Sequence, residues 1–86
     1  MRLQYTERFK RAFAALTDQD ASRVEKALRL LANDARYPGL RVKRVQGTDG
    51  IWEARASDAL RITFEMRDDT LILRMVGAHD STLKNP

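Results

Sequence analysis

The 86 residues contain no cysteine and a single histidine. Disulfide scaffolds and thiolate nucleophiles are therefore excluded, and a zinc site would lack its usual nitrogen and sulfur ligands. No metal site and no small-molecule cofactor are expected. No apolar run approaches the ~20 residues that a membrane-spanning helix requires, and the mean hydropathy of -0.52 is far from a membrane value. Met1-Arg2-Leu3-Gln4-Tyr5 shows no apolar signal-peptide core, so the expectation is a cytoplasmic protein with no membrane partner. No Pro/Ser-rich linker, low-complexity tract or internal repeat divides the chain. A second compact unit would leave each half too short to bury a core, so residues 1–86 read as one domain.

Acidic residues are missing where basic ones gather. The whole chain balances 16 Lys+Arg against 12 Asp+Glu, a formal +4, which favours a polyanionic partner but equally suits a soluble basic protein. The distribution says more. Between Arg36 and Arg61 six basic residues (Arg36, Arg41, Lys43, Arg44, Arg55, Arg61) stand against three acidic ones (Asp49, Glu53, Asp58), and no acid occurs from Arg36 to Thr48. Such a stretch is either a solvated face or a surface for an anionic partner.

Two helices come first. Thr6 can cap a segment in which Phe9, Ala12, Phe13 and Leu16 form one apolar stripe, and Thr17-Asp18-Gln19-Asp20 ends that helix and opens another. Val24, Ala27, Leu28 and Leu31 repeat the spacing up to Asn33, before Tyr37-Pro38-Gly39. From Leu40 the period changes to two, and turn signals at Gly47-Thr48-Asp49-Gly50, Ser57-Asp58-Ala59 and Arg67-Asp68-Asp69 mark off four extended segments. Trp52, Ala54 and Ala56 should point to the core, opposite Glu53 and Arg55; Ile62, Phe64 and Met66 should oppose Arg61, Thr63 and Glu65. Leu71 to Val76 is apolar but for Arg74, as in a central strand. Leu3-Gln4-Tyr5 can add a short strand. The prediction is an α+β fold of order β-α-α-β-β-β-β, with an N-terminal helical hairpin packed on one face of a curved antiparallel sheet. The opposite face, expected to be open to solvent, would collect Glu53, Arg55, Arg61 and Lys43.

That face holds the residues suited to chemistry. His79, just past the most apolar strand, is the one side chain whose unperturbed pKa of ~6.5 suits proton transfer near neutrality, although a lone histidine is more often structural. Arg55 and Arg61 can clamp a phosphate, and Glu53 or Lys43 can exchange a proton, a set suited to phosphodiester chemistry. Glu53 and Arg55 also make sense as ordinary cross-strand ion partners. The Gly47 to Gly50 stretch lacks the Gly-Lys-Ser/Thr ending of a phosphate-binding loop and reads as a turn.

The strings Leu40-Arg41-Val42-Lys43, Gly50-Ile51-Trp52-Glu53-Ala54-Arg55, Leu60-Arg61-Ile62-Thr63-Phe64 and Val76-Gly77-Ala78-His79-Asp80, in this order, resemble the RelE/ParE superfamily of bacterial toxins over essentially the whole chain. The resemblance implies the toxin of a toxin-antitoxin pair. RelE-branch members cut mRNA in the ribosomal A site, ParE-branch members poison DNA gyrase, and an inactive RNA-binding relative is the third possibility. It also implies roles. Arg61 matches the phosphate-contacting arginine, His79 the place of the general acid, and Arg55 a cation that stabilises the transition state. The base stays open between Glu53 and Lys43, because RelE itself has Lys where Glu53 falls and YoeB-like members place a Glu near Lys43. The family's C-terminal Tyr has no counterpart in Thr82-Leu83-Lys84-Asn85-Pro86. The implied partners are a cognate antitoxin, the ribosome and mRNA, with Arg36, Arg41, Lys43 and Arg44 aimed at ribosomal RNA. The antitoxin's acidic residues would meet that same basic run.

Overall fold

The computed structural model describes residues 1–86 as β1 (Arg2–Tyr5), α1 (Glu7–Ala14), α2 (Asp18–Asn33), β2 (Lys43–Arg44), β3 (Trp52–Arg55), β4 (Leu60–Arg67), β5 (Thr70–Ala78) and α3 (His79–Lys84). Both helix starts lie where the sequence puts them. The Thr6 hydroxyl accepts from Phe9 N at 3.1 Å, and the Thr17 hydroxyl accepts from Asp20 N at 3.1 Å, each satisfying one of the free donors of a first turn. α2 ends at Asn33, as expected.

The five strands form one sheet of order β1-β5-β4-β3-β2. β2 to β5 run antiparallel, as predicted, while β1 adds at the far edge in parallel with β5, which makes the sheet mixed. A parallel neighbour needs a crossover, and the helical hairpin between β1 and the later strands supplies it. The second segment is shorter than its period implies, because Pro38–Leu40 forms a 3-10 turn and Arg41 follows it with φ of 47°, leaving only Lys43 and Arg44 paired.

One face of the sheet packs on the hairpin. Phe9, Val24, Ala27, Leu28 and Leu31 from the helices meet Ala54, Ile62, Phe64, Leu71, Leu73 and Val76 from the strands, all buried. Each large side chain among them contributes about 1.5–3 kcal/mol through the apolar surface it removes from water. Leu73 and Val76 reach the same face only because the ladder slips: Thr63 pairs with Met75 and Phe64 with Leu73, so Arg74 is a bulge. The bulge aims Arg74 at the other face, where Nη1 donates to Glu65 at 2.7 Å and Nε donates to the Pro86 carbonyl at 3.2 Å. This accounts for the one charge in an otherwise apolar strand.

The opposite face is not open across its middle, which corrects the sequence expectation. The chain turns at His79 into α3 and lies back over β4 and β5. Thr63 and Thr82 are fully buried there, and Glu53 nearly so. The Thr63 hydroxyl donates to the Pro86 carbonyl at 2.9 Å.

Candidate functional site

The register brings four of the five candidate catalytic residues onto one face in two adjacent rows. Arg55 lies opposite Arg61, which lies opposite Gly77; one step along, Lys43 lies opposite Glu53, which lies opposite Thr63. Residues directly opposite on neighbouring strands have Cβ atoms about 4.5–5.5 Å apart, and successive same-face rows are about 6.6–6.8 Å apart. Each strand contributes every second residue, which is why Glu53 and Arg55, or Arg61 and Thr63, share this face. His79 joins the set two residues past Gly77, where its backbone N–H donates to Ala59 O at 2.8 Å and fixes it beside the β3–β4 turn.

Arg61 is the most constrained of the five. Its Nη1 donates to three carbonyls of the β3–β4 turn, Ser57 O at 2.8 Å, Leu60 O at 3.0 Å and Asp58 O at 3.2 Å. Its Nε stands 3.8 Å from Glu53 Oε1, with both side chains largely out of water. Nη2 has no internal partner and is the atom left to meet an anion. Arg55 is paired with Asp58. Asp58 is almost fully exposed, so that pair is a weak, solvent-screened one that a phosphate can displace.

His79 is half exposed, and its Nδ1 lies 2.8 Å from Asp80 Oδ1. In the tautomer that donates Nδ1–H to that carboxylate, Nε2 is the ring atom without a hydrogen-bond partner. Glu53 and Lys43 line a cleft of about 340 Å³ together with Arg44, Gln46 and Leu83, the last from α3. Lys43 is exposed and has no ion pair, whereas Glu53 sits at the buried end. The two candidate bases therefore share one cleft but differ in access.

Arg36, Arg41 and Arg44 are exposed and have no ion pair. Arg44 lies over the Trp52 ring, 5.8 Å from its centroid. Trp52 itself is half buried against the core, in keeping with its inward alternation. Three features of this face escaped the sequence reading: the α3 cover, the Glu65–Arg74 pair on the bulge, and buried Thr63.

No family model matches this sequence, and no curated protein matches it. Solved structures do. The RelB-RelE antitoxin-toxin complex from Methanococcus jannaschii aligns with a TM-score of 0.75 at 19% identity, over 96% of this chain and 99% of that one. YafQ from E. coli strain BL21(DE3) aligns with a TM-score of 0.79 at 15% identity, over 95% and 98%. A YoeB/ParE toxin from Agrobacterium tumefaciens aligns with a TM-score of 0.77 at 15% identity, over 92% and 99%. The chain thus has the fold of RelE/ParE-type toxins from end to end.

Proposed function

We propose that this protein is the toxin of a toxin-antitoxin pair and acts as a ribosome-dependent mRNA endonuclease. The observation that carries the reading is the placement of Arg55, Arg61, Glu53 and Lys43 in adjoining rows of one sheet face, with His79 at its rim. The fold shared with the RelE, YafQ and YoeB/ParE structures supports it. The reaction is a transesterification. The base, Glu53 or Lys43, takes the proton of a ribose 2'-OH, whose oxygen attacks the adjacent phosphorus in line. Arg55 and Arg61 Nη2 offset the charge that builds on the phosphorane oxygens. His79 Nε2 gives a proton to the departing 5'-oxygen, leaving a 2',3'-cyclic phosphate and a free 5'-OH. Holding the mRNA in line is the ribosome's share, since this face offers few groups to grip RNA unaided.

A second reading, a gyrase-poisoning or non-nucleolytic toxin, draws on a specific observation: Arg55, Arg61 and His79 each have an acidic neighbour in the free protein. Single-turnover cleavage of mRNA on programmed ribosomes separates the two. The wild type should cut there and leave free RNA nearly intact, and His79→Gln should cut about 10²-fold more slowly, the usual scale for losing a general acid. No cleavage on ribosomes by the wild type, or an unchanged rate for His79→Gln, would remove the nuclease reading or this site respectively.

A further inference from the structure

Arg55, at the end of β3, lies beyond the reach of β2, which pairs only with Trp52 and Glu53. The 3-10 turn stands there instead, and a cleft of about 190 Å³ opens between α2, that turn and the end of β3. Leu30, Leu40 and Ala56 give it an apolar floor, and Tyr37, 45% exposed, lines it beside them. Gly39 lets the Tyr37 ring lie close: a Cβ in its place would stand 3.2 Å from Tyr37 Cε1. Arg23 and Lys26, about one turn apart on α2, line the cleft together with Arg55, and no carboxylate does.

All three cations are open to a ligand. Lys26 is exposed and has no ion pair. Arg23 and Arg55 pair with Asp20 and Asp58, carboxylates outside the cleft that water reaches, and such pairs are weak. A cationic rim over an apolar floor suits a group with a phosphate at one end and a flat, weakly polar body at the other. The cleft falls below the roughly 300–1,000 Å³ of pockets that enclose a whole small molecule, so it suits one unit of a longer chain. Single-stranded nucleic acid is made of such units, since its bases stack on aromatic side chains while its phosphates meet Lys and Arg. Arg55 also belongs to the row of Arg61 and Gly77, which makes the cleft continuous with the proposed site.

We infer that this cleft holds the nucleotide next to the cleaved bond, with its base against Tyr37 over Leu30 and Leu40 and its phosphate on Arg23 and Lys26. Arg55 joins that phosphate to the one that reacts. Arg23, Lys26 and Tyr37 then touch the strand away from the reacting phosphorus and fix where it lies. A bare anion would use the cations but gain nothing from Tyr37 or the apolar floor, whereas a nucleotide uses both. Making this nucleotide a neighbour of the cleaved bond rests on the function proposed above; the fit of a nucleotide to the cleft does not.

The test is an NMR titration of the full chain with a trinucleotide of uridine, 2'-O-methylated so that it cannot be cut. Amides of Leu30, Tyr37, Leu40 and Ala56 should shift saturably. Lys26→Ala and Tyr37→Ala should each weaken binding about five- to tenfold, the scale of one lost phosphate contact or one lost stacking partner. Lys26→Ala should also flatten the plot of log affinity against log salt by about 0.7, one phosphate's share on a single strand, while Tyr37→Ala leaves that slope unchanged. Both residues are exposed, so both variants should melt like the wild type, which separates lost contact from lost fold. Cleft amides that do not move, or equal affinity for the wild type and both variants, overturn the proposal. So does inorganic phosphate that moves the same amides at matching concentration, which marks a bare anion site. Uridine monophosphate binding as tightly as the trinucleotide assigns the cleft to a free nucleotide and overturns its link to the cleaved strand. Ribosome-dependent cleavage is a separate readout: cleft amides that shift in a protein that cuts nothing on ribosomes remove the nuclease reading and leave the nucleotide site.

Discussion

Arg61 illustrates how one side chain can both hold a fold and stand in a proposed site. Its Nη1 caps three carbonyls of the β3–β4 turn while Nε faces Glu53, so only Nη2 has no internal partner. Arg61→Ala strands those carbonyls and leaves a nearly buried carboxylate without its cation. The loss should be about 2–4 kcal/mol, read as a lower urea midpoint with an unchanged slope. Slow cleavage by that variant would therefore mix stability with chemistry. Activity of Arg61→Ala is informative only at temperatures where it remains folded. The base assignment is a cleaner residue-level question. Because Glu53 lies at the buried end of the cleft and Lys43 at its mouth, Glu53→Gln and Lys43→Ala can be compared directly. The greater fall in single-turnover rate, by about 10²-fold, identifies the base.

At the level of elements, the joints between segments carry specific hydrogen bonds. Thr6 both caps α1 and donates to Leu73 O at 2.8 Å, tying the start of the hairpin to β5. Thr6→Ala removes both and should lower stability by about 1–2 kcal/mol in chemical denaturation. α3 is held by a closer fit. A Cβ on Gly77 would come within 3.0 Å of Thr82 Oγ1, a hydroxyl that is buried without a hydrogen-bond partner. Gly77→Ala should lift α3 and speed amide exchange across His79–Lys84, while Thr82→Val should be neutral or stabilising by up to about 1 kcal/mol. These joints also mark where the sequence was readable. Phe9, Phe13, Val24 and Leu28 announce their helices by spacing, Thr6 and Thr17 announce the caps, and alternation places Glu53, Arg55 and Arg61 on one face. α3 gave no such signal, because six residues with Leu83 as their one large apolar side chain carry no period. The burial of Glu53 follows from that missing cover, and the parallel pairing of β1 follows from contacts far apart in sequence.

Across the whole molecule, the charge is divided between two surfaces. The sheet face proposed as the site carries cations that are paired with Glu53, Asp58 and Glu65, while Arg36, Arg41 and Arg44 have no ion pair. If ribosomal RNA and an antitoxin's acidic residues both use Arg41 and Arg44, they compete. Arg41→Glu/Arg44→Glu should then lower ribosome affinity and antitoxin affinity together, each by about tenfold, with both interactions weakening as salt rises. A variant that loses ribosome binding but keeps full, salt-sensitive antitoxin affinity would show that the two ligands occupy different surfaces. Inhibition would in that case work by another route than shared charge.

The pairing of β1 with β5 has a consequence during synthesis. Leu3 faces Leu71 across the ladder, so the first strand made has no neighbour until the last one exists. At about 5–20 residues per second, the nascent chain spends several seconds with β1 unpaired. The rows that carry Arg61 and Gly77 cannot form before β5 is made, and His79 follows later still. The proposed site is thus assembled only when synthesis of the 86 residues is almost complete.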